Sequence, residues 1–176
     1  MKYTTILFLL IFLQKDKQED LREINLFNGK FVFSVPKYLN EKGPLISTRQ
    51  DYKYDRHFFN KDSSIKILIN VGYEQIIGLR GNMSYEKKLL LGKSDGLDKK
   101  ITGEEILSIN NRPVLLISCD FSNPGFEMAK WHGKLMVFNT TAGGVTVFMS
   151  YGYRNKGEED KRDLLLKKFI ESIKMN

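Results

Sequence analysis

Four side chains of this sequence could contribute to a thiol catalyst: the single cysteine, Cys119, its neighbour Asp120, and the two histidines, His57 and His132. A thiol catalyst needs a thiolate, a base and an orienting group brought together in space, so Cys119, a histidine and Asp120 form a conceivable set. Cys119 lies within the apolar residues 114–121, however, and free cysteines in such runs are typically buried. The sequence therefore favours a core position for this thiol.

Metal and cofactor motifs are missing from the sequence. The two histidines lie in different segments, with no carboxylate or cysteine at ligand spacing. There is no Gly-x-Ser-x-Gly elbow, phosphate-binding loop, Gly-x-Gly-x-x-Gly or His-Glu-x-x-His. We therefore expect no catalytic residue, no cofactor and no metal, and interpret the protein as a non-enzyme. The alternative is a thiol-dependent hydrolase that uses Cys119 with His57 or His132.

Aromatic and basic residues are interleaved at one place in the chain, which we call the 49–58 patch. It consists of Arg49, Tyr52, Lys53, Tyr54, Arg56 and Phe58. Two interpretations remain open for it. The patch is either a surface that contacts a ligand or a partner, or part of the sheet in which long cationic side chains cover aromatic rings.

Composition points to one folded domain with a mixed surface. The chain has 176 residues, a net charge of +7, 41% hydrophobic and 12% aromatic residues, which is typical of a globular core. Basic residues alternate with acidic ones, as in residues 154–163, so no stripe of one sign forms. We therefore expect no nucleic-acid partner. Residues 21–176 have the length of a single domain.

The N-terminus, from Met1 to Leu13, has the features of an export segment. Lys2 is followed by the apolar run from Ile6 to Leu13, which is far shorter than the ~20 residues that span a bilayer. No alanine, glycine, serine or cysteine lies between Ile6 and Asn28, although signal peptidases need small residues before the cut. Three interpretations compete: a cleaved but atypical signal, an uncleaved membrane anchor, and a buried element of the fold. We predict export, to the periplasm or beyond, with residues 1–20 separate from the domain.

Alternating apolar residues predict most of the strands. The predicted strands cover residues 30–35, 54–59, 64–73, 104–109, 113–121, 128–139 and 144–153. In the last of these, Val145, Val147, Met149 and Tyr151 share one face while the other face is mixed, which is typical of an antiparallel sheet covered mainly on one side. Asn110 and Asn111 tolerate the left-handed conformation of a tight hairpin.

Helical patterns occur twice. Residues 84–91 begin with a capping serine and predict a short helix. The second helix runs from residue 158 to about 175, and its Leu165, Phe169 and Ile173 recur every four residues. Residues 15–23 fit a linker or a first helix, and residues 38–51 and 93–103 fit loops. The expected fold is α+β: an antiparallel sheet of about six or seven strands with flanking helices, arranged as an α-β-α sandwich.

Two short motifs resemble the PsbP-like superfamily. Residues 31–38, Phe-Val-Phe-Ser-Val-Pro-Lys-Tyr, resemble that family's strand ending in a proline and an aromatic residue, with Tyr38 where a tryptophan is often found. Phe169, Ser172 and Ile173 resemble its terminal helix. The resemblance implies an α-β-α sandwich and a non-catalytic accessory or binding role outside the cytoplasm, and it carries over no site residues.

The expected function is therefore that of an exported, non-catalytic binding or accessory protein of the cell envelope, acting on another protein through an interaction surface. An immunity-type protein that neutralises a toxin in the periplasm is a second alternative, since it too needs only a binding surface and a signal. Contact with a membrane is expected only through Met1 to Leu13, if that segment is retained.

Overall fold

The computed structural model describes residues 20–46, 52–72, 84, 87–88, 92, 99–122, 130–140 and 143–176, with only the backbone described at Tyr52, Tyr54 and Asn139. The predicted export segment and Arg49 lie outside the described residues. Of the predicted helix at residues 84–91, Ser84, Lys87 and Lys88 are described and are helical. None of the described helices is long and apolar enough to cross a membrane.

Seven antiparallel strands form the main sheet. They are β3 (Asn40–Ile46), β4 (Tyr52–Phe59), β5 (Ile65–Gly72), β6 (Lys99–Ile109), β7 (Arg112–Phe121), β8 (Lys130–Thr140) and β9 (Gly143–Tyr153). Their spatial order is β3-β4-β5-β9-β8-β7-β6. The α+β fold with an antiparallel sheet of about seven strands is thus confirmed.

A smaller sheet and one helix pack on the main sheet. The smaller sheet contains β1 (Leu21–Leu26), β2 (Phe31–Pro36) and β10 (Lys174–Met175), in the order β1-β2-β10. The helix, α1 (Lys156–Glu171), starts at Asn155, whose side chain accepts a hydrogen bond from the backbone N–H of Glu158. Glu158 and Glu159 in the first turn favour the helix start, because negative charge is stabilised there.

The start of the domain differs from the sequence prediction. The sequence predicts a linker or a helix for residues 21–23, and this prediction is wrong, because Leu21–Leu26 is strand β1. Ile24 and Leu26 are buried while Glu23 and Asn25 are exposed. This alternation is the period of two that a half-buried strand requires. The charged residues on the exposed side of the strand are also compatible with a helix, which explains the wrong prediction.

Two other loop assignments are also wrong. Residues 40–46, assigned to a loop, form the edge strand β3, where Pro44 is tolerated because an edge strand has a free hydrogen-bonding side. Residues 99–103 belong to β6. The last helix ends at Glu171 instead of about residue 175, and the chain continues into β10, with the Ser172 hydroxyl accepting from the Ser34 N–H at 2.9 Å.

The core lies between the main sheet and the layer formed by α1 and the small sheet. We call the sheet face that points into this core the proximal face; it carries Ile65, Ile67, Ile69 and Val71, all buried as the alternation predicts. Aromatic rings connect the layers. The Phe31 ring of β2 lies 5.0 Å from that of Phe138 in β8, and the Phe33 ring lies 5.4 Å from that of Phe169 in α1.

The opposite side of the main sheet, the distal face, also contains a buried cluster. Its members are Leu115, Ile117, Cys119, Phe121, Trp131, Leu135 and Val137. In β7, consecutive residues from Val114 to Ile117 are all buried, which is the pattern of a strand covered on both faces. The sequence predicts a sheet covered mainly on one side, and the structure adds a buried cluster on the distal face.

Candidate binding cleft on the distal face

Strand register places residues from distant parts of the sequence in two rows across the distal face. In the first row Lys42 pairs with His57, His57 with Leu68, and Leu68 with Phe148. The second row lies two residues further along the strands, where alternate side chains return to the same face. It contains Phe59, Lys66, Ser150 and Gly133.

Together with Trp131 and Phe121, the residues of these rows other than Gly133 line a cleft of about 520 Å³, which we call the distal cleft. This volume lies within the ~300–1,000 Å³ range of ligand sites. Lys42, His57 and Lys66 stand on β3, β4 and β5, where Phe59 of β4 also lines the cleft, whereas Phe148, Trp131 and Phe121 stand on β9, β8 and β7. The basic residues therefore lie at one end of the cleft, and the other end is lined mainly by aromatic rings.

Lys66 stands where the two ends meet. Its Nζ lies 5.7 Å from the centroid of the Trp131 ring, and the Trp131 ring stacks on Phe121 with centroids 5.8 Å apart. Burial against the sheet lowers the pKa of the Lys66 ammonium below its ordinary value. Because the surroundings of this charge are less polar than water, its attraction for an anion is screened less than that of an exposed lysine.

Gly133 packs closely against Phe148, one of the residues that line the distal cleft. A Cβ atom at this position would lie 2.8 Å from Cζ of Phe148 and 3.0 Å from Sγ of Cys119, closer than van der Waals contact allows. The missing side chain therefore lets the Phe148 ring lie against β8.

We expect Gly133→Ala to lower the free energy of unfolding by about 1–3 kcal/mol, because it overpacks a buried site. Urea unfolding followed by tryptophan fluorescence measures the change. Gly144→Ala is the matched control, since nothing lies within 4 Å of a Cβ placed there. Equal stability of the two variants would contradict the close packing of Phe148 on Gly133.

The β4–β5 hairpin closes one end of the cleft with a hydrogen-bonded loop. Asn60 Oδ1 accepts from the Ile65 N–H at 2.9 Å, and Asp62 Oδ1 accepts from the Ser64 N–H at 3.0 Å. The hydrogen bonds from Ser64 lower the pKa of Asp62 below its ordinary value of 3.8. Arg162 of α1 donates to the Ser64 hydroxyl at 3.0 Å, which connects the loop to the helix.

The Asp62 carboxylate in this loop should make the stability of the protein depend on pH in the acidic range. Because the folded-state pKa of Asp62 is depressed, its contribution to stability is present above pH ~4 and is lost as the pH falls through that folded-state pKa. Asp62→Asn should therefore be less stable than the wild type at pH 7, and the difference should shrink below pH 4. Urea unfolding at pH 7 and pH 2.5 measures it. Lys61→Gln should show no such pH dependence, and a difference for Asp62→Asn that stayed constant would contradict the assignment.

Of the described members of the 49–58 patch, only Phe58 is among the residues that line the cleft. Lys53 is exposed, whereas Phe58 is only 1% exposed and lies on the proximal face. Arg56 Nε donates to Glu41 Oε1 at 2.8 Å, and Arg22 of β1 pairs with Glu41 Oε2 at 3.2 Å. The guanidinium groups of Arg22 and Arg56 both lie over the Phe58 ring, 5.4 and 5.7 Å from its centroid, respectively. These contacts connect the two sheets, and a role for the patch in binding remains a prediction.

The thiol set considered from the sequence is not assembled. Cys119 is 0% exposed and points to the distal face, whereas Asp120 and His132 point to the proximal face, where His132 Nδ1 lies 2.5 Å from Asp120 Oδ1. His57, on β4, lies four strands away from Cys119 on β7, a distance of roughly 19 Å. This arrangement conflicts with the thiol-hydrolase alternative.

His132 and Tyr151 are neighbours on the proximal face, and Tyr151 connects the sheet to α1. The His132 ring lies 5.6 Å from the Tyr151 ring, and the Tyr151 hydroxyl donates to Asp163 of α1. Burial, with the neighbouring Asp163 carboxylate, raises the pKa of Tyr151 above its ordinary value. Within the described ranges, no group of three His, Cys, Asp or Glu residues is placed to hold a metal ion.

Sequence reasoning missed the distal cleft, although the predicted strands 54–59 and 64–73 contain His57 and Lys66. The six strands that line it contribute one to three residues each. No local motif results from such a distribution, and only the pairing register brings these residues together.

Comparison with known proteins gives fold neighbours but no relatives in sequence. No family model and no curated protein matches the chain. The solution structure of cyanobacterial PsbP (CyanoP) from Synechocystis sp. PCC 6803 matches with a TM-score of 0.67 and 10% identity, covering 90% of this chain and 94% of that one. The Ran-binding protein Mog1p of Saccharomyces cerevisiae matches with a TM-score of 0.56 and 10% identity, covering 89% and 96%. The resemblance drawn from residues 31–38 and the closing helix is thus confirmed at the level of architecture: the chain has a PsbP-like fold.

Proposed function

We propose that this protein is an exported, non-catalytic binding protein that engages a partner protein through the distal cleft. The observation that carries the proposal is the cleft itself, with a volume of about 520 Å³, basic residues at one end and mainly aromatic rings at the other. Concave surfaces with aromatic side chains and a few charged groups are typical of binding sites. The fold supports the proposal, since the Ran-binding protein Mog1p shares it.

The placement of the reactive side chains supports a role without catalysis. The Cys119 thiol is buried and Asp120 and His132 face the other side of the sheet. The Tyr151 hydroxyl donates to Asp163 inside the interface between the sheet and α1. His132 pairs with Asp120 and Tyr151 pairs with Asp163 within the fold, as structural polar groups do.

Export is supported by the apolar run from Ile6 to Leu13 behind Lys2. The proposal places the folded domain in the cell envelope or outside the cell. N-terminal mass analysis of the chain recovered from membrane, periplasmic and cytosolic fractions tests it. Recovery of the chain only from the cytosol, with an intact N-terminus, would contradict export.

Co-purification with a matched pair of charge reversals tests the use of the distal cleft. Lys42 lies at the cleft and Lys161 lies on α1, and both are exposed, so neither Lys42→Glu nor Lys161→Glu should prevent folding. The tagged full-length chain should retain its partner after Lys161→Glu and lose at least about 80% of it after Lys42→Glu, because a reversed rim charge weakens a complementary surface. Equal recovery with both variants would show that binding does not use the cleft.

A further inference from the structure

One corner of the domain, beside the start of β1, exposes apolar side chains. Leu21, Tyr38 and Leu164 are 44%, 52% and 49% exposed. We propose that these residues, with Lys161 and Lys168 of α1, form a docking surface for an anionic lipid bilayer, which we call the corner patch. The inference goes beyond the proposed function, because it assigns a second surface to the domain.

Leu21 lies next to α1, although it belongs to the small sheet. Leu21 and Pro36 are paired across β1 and β2, and they line a small depression together with Leu165 and Lys168 of α1. Lys168 therefore stands beside Leu21, and Leu164 lies one helical turn before Lys168, on the same side of the helix. This arrangement brings apolar and basic side chains of two elements to one surface.

Tyr38 lies at the same level of the domain as Leu164. The Ser34 N–H of β2 donates to the Ser172 hydroxyl just after α1. Going forward along β2 from this contact corresponds to going backward along α1, since the end of β2 lies beside Leu165. Tyr38 is four residues after Ser34, which is at most roughly 14 Å of extended chain, and Leu164 is eight residues before Ser172, which is roughly 12 Å of helix. The two side chains therefore reach the same end of the domain.

Charges around the corner patch are complementary to anionic headgroups. Lys161 and Lys168 lie about one turn to either side of Leu164, and all three side chains are exposed. Other lysines pair with most of the nearby acids: Asp20 with Lys37 at 2.8 Å, Asp160 with Lys156 at 3.0 Å, and Glu171 with Lys167 at 3.9 Å. Glu23 of β1 is not paired in this way within the described ranges, and the two lysines of the patch outweigh it. A surface of anionic lipid therefore attracts the patch.

The chain enters the domain at the corner patch. Seven residues, 14–20, separate the apolar run that ends at Leu13 from Leu21, and a chain of that length spans at most about 25 Å. The run itself is too short to cross a bilayer, so attachment through it alone would be weak. If the run is retained, it holds the corner patch within reach of the bilayer, and the patch supplies the second contact that stable attachment needs.

Docking through the corner patch leaves the distal cleft accessible. The patch belongs to β1, to the turn after β2 and to α1, which lie in the layer that covers the proximal face of the main sheet. The cleft lies on the other face of that sheet. A partner protein can therefore occupy the cleft while the opposite side of the domain rests on lipid.

Fluorescence of a site-specific label on the full-length chain tests the inference. In a Cys119→Ala background, the fluorophore NBD is attached to Leu164→Cys or, as the control, to Ser108→Cys, which is exposed on the edge strand β6. The probes are vesicles of phosphatidylcholine alone and vesicles that contain about one third phosphatidylglycerol. We expect NBD emission at position 164 to rise at least about twofold with the anionic vesicles and to stay unchanged with the neutral ones. Emission at position 108 should stay unchanged with both.

Charge reversal shows whether the patch itself makes the contact. Lys161→Glu should raise the vesicle concentration needed for the response at position 164 about tenfold, because it replaces attraction by repulsion at the lipid surface. Lys61→Glu makes the same change of net charge in the β4–β5 loop, and its effect should be less than about twofold. If Cys119→Ala fails to fold, the same labels are attached in the wild-type background, where the buried Cys119 stays unlabelled.

Absence of a rise at position 164, or an equal rise at positions 164 and 108, would overturn the inference. An equal rise with neutral vesicles would also overturn it, because anionic lipid would not be recognised. A rise without vesicles that grows with protein concentration would instead assign the patch to a second copy of the chain. None of these results bears on the distal cleft, whose use is tested separately through Lys42→Glu.

Discussion

Truncation of Phe31 to alanine should lower the free energy of unfolding by about 3–5 kcal/mol, the range for buried aromatic residues. Phe31 is 0% exposed, and its ring lies 5.0 Å from Phe138 of the main sheet and 5.8 Å from Phe33 of its own strand. The substitution leaves a cavity where the small sheet meets the main sheet. Urea unfolding followed by circular dichroism measures the loss.

Ile46→Ala is the control for Phe31→Ala. Ile46 is 92% exposed on the edge strand, so its truncation should change stability by less than ~0.5 kcal/mol. A loss below ~1 kcal/mol for Phe31→Ala would contradict the packing of β2 on the main sheet, and with it the two-layer core.

The Cys119 thiol should react with Ellman's reagent at least ~1,000-fold more slowly in the native chain than in the chain unfolded in urea. Cys119 is 0% exposed and its Sγ lies against the Gly133 backbone and the Phe148 ring. Reaction therefore requires local or global opening around β7, which costs several kcal/mol. Release of the coloured thiolate product measures the rate.

An introduced cysteine provides the control for this measurement. In a Cys119→Ala background, Ser108→Cys places a thiol at an exposed position on β6, where native and unfolded rates should agree within about tenfold. Fast reaction of native Cys119 would contradict its burial and restore the thiol-hydrolase alternative.

The sequence predicts well the strands of the main sheet in which alternate residues are apolar and buried. Ile65, Ile67 and Ile69 of β5 and the apolar face of β9 are buried as expected. Asn110 and Asn111 adopt φ values of 49° and 59°, as the predicted tight turn requires. These features depend on local chemistry alone, which is why one sequence suffices to predict them.

The missed elements lack such local signals. β1 carries charged residues on its exposed side, β3 contains Gly43 and Pro44, and β10 has only two residues. Each is held by pairing with a neighbour: β1 and β10 with β2, and β3 with β4. Pairing with a neighbouring strand therefore determines their structure, because the β propensity of their own residues is weak.

The candidate site was harder to predict because neighbours in sequence point in opposite directions on a strand. The 49–58 patch groups residues by adjacency, yet Arg56 and Phe58 face the core side while His57, between them, faces the distal cleft. Lys42 and Lys66 join His57 only through the register of β3, β4 and β5. A sequence pattern alone does not contain that register.

Site-specific photo-crosslinking in cells tests the central claim most directly. A photoreactive amino acid at position 57 lies in the distal cleft, and the same amino acid at position 161 lies on the exposed side of α1. We expect the co-purified partner to be crosslinked from position 57 and not from position 161, with the position-57 product lost after Lys42→Glu. Crosslinking of that partner from position 161 alone would contradict binding through the cleft.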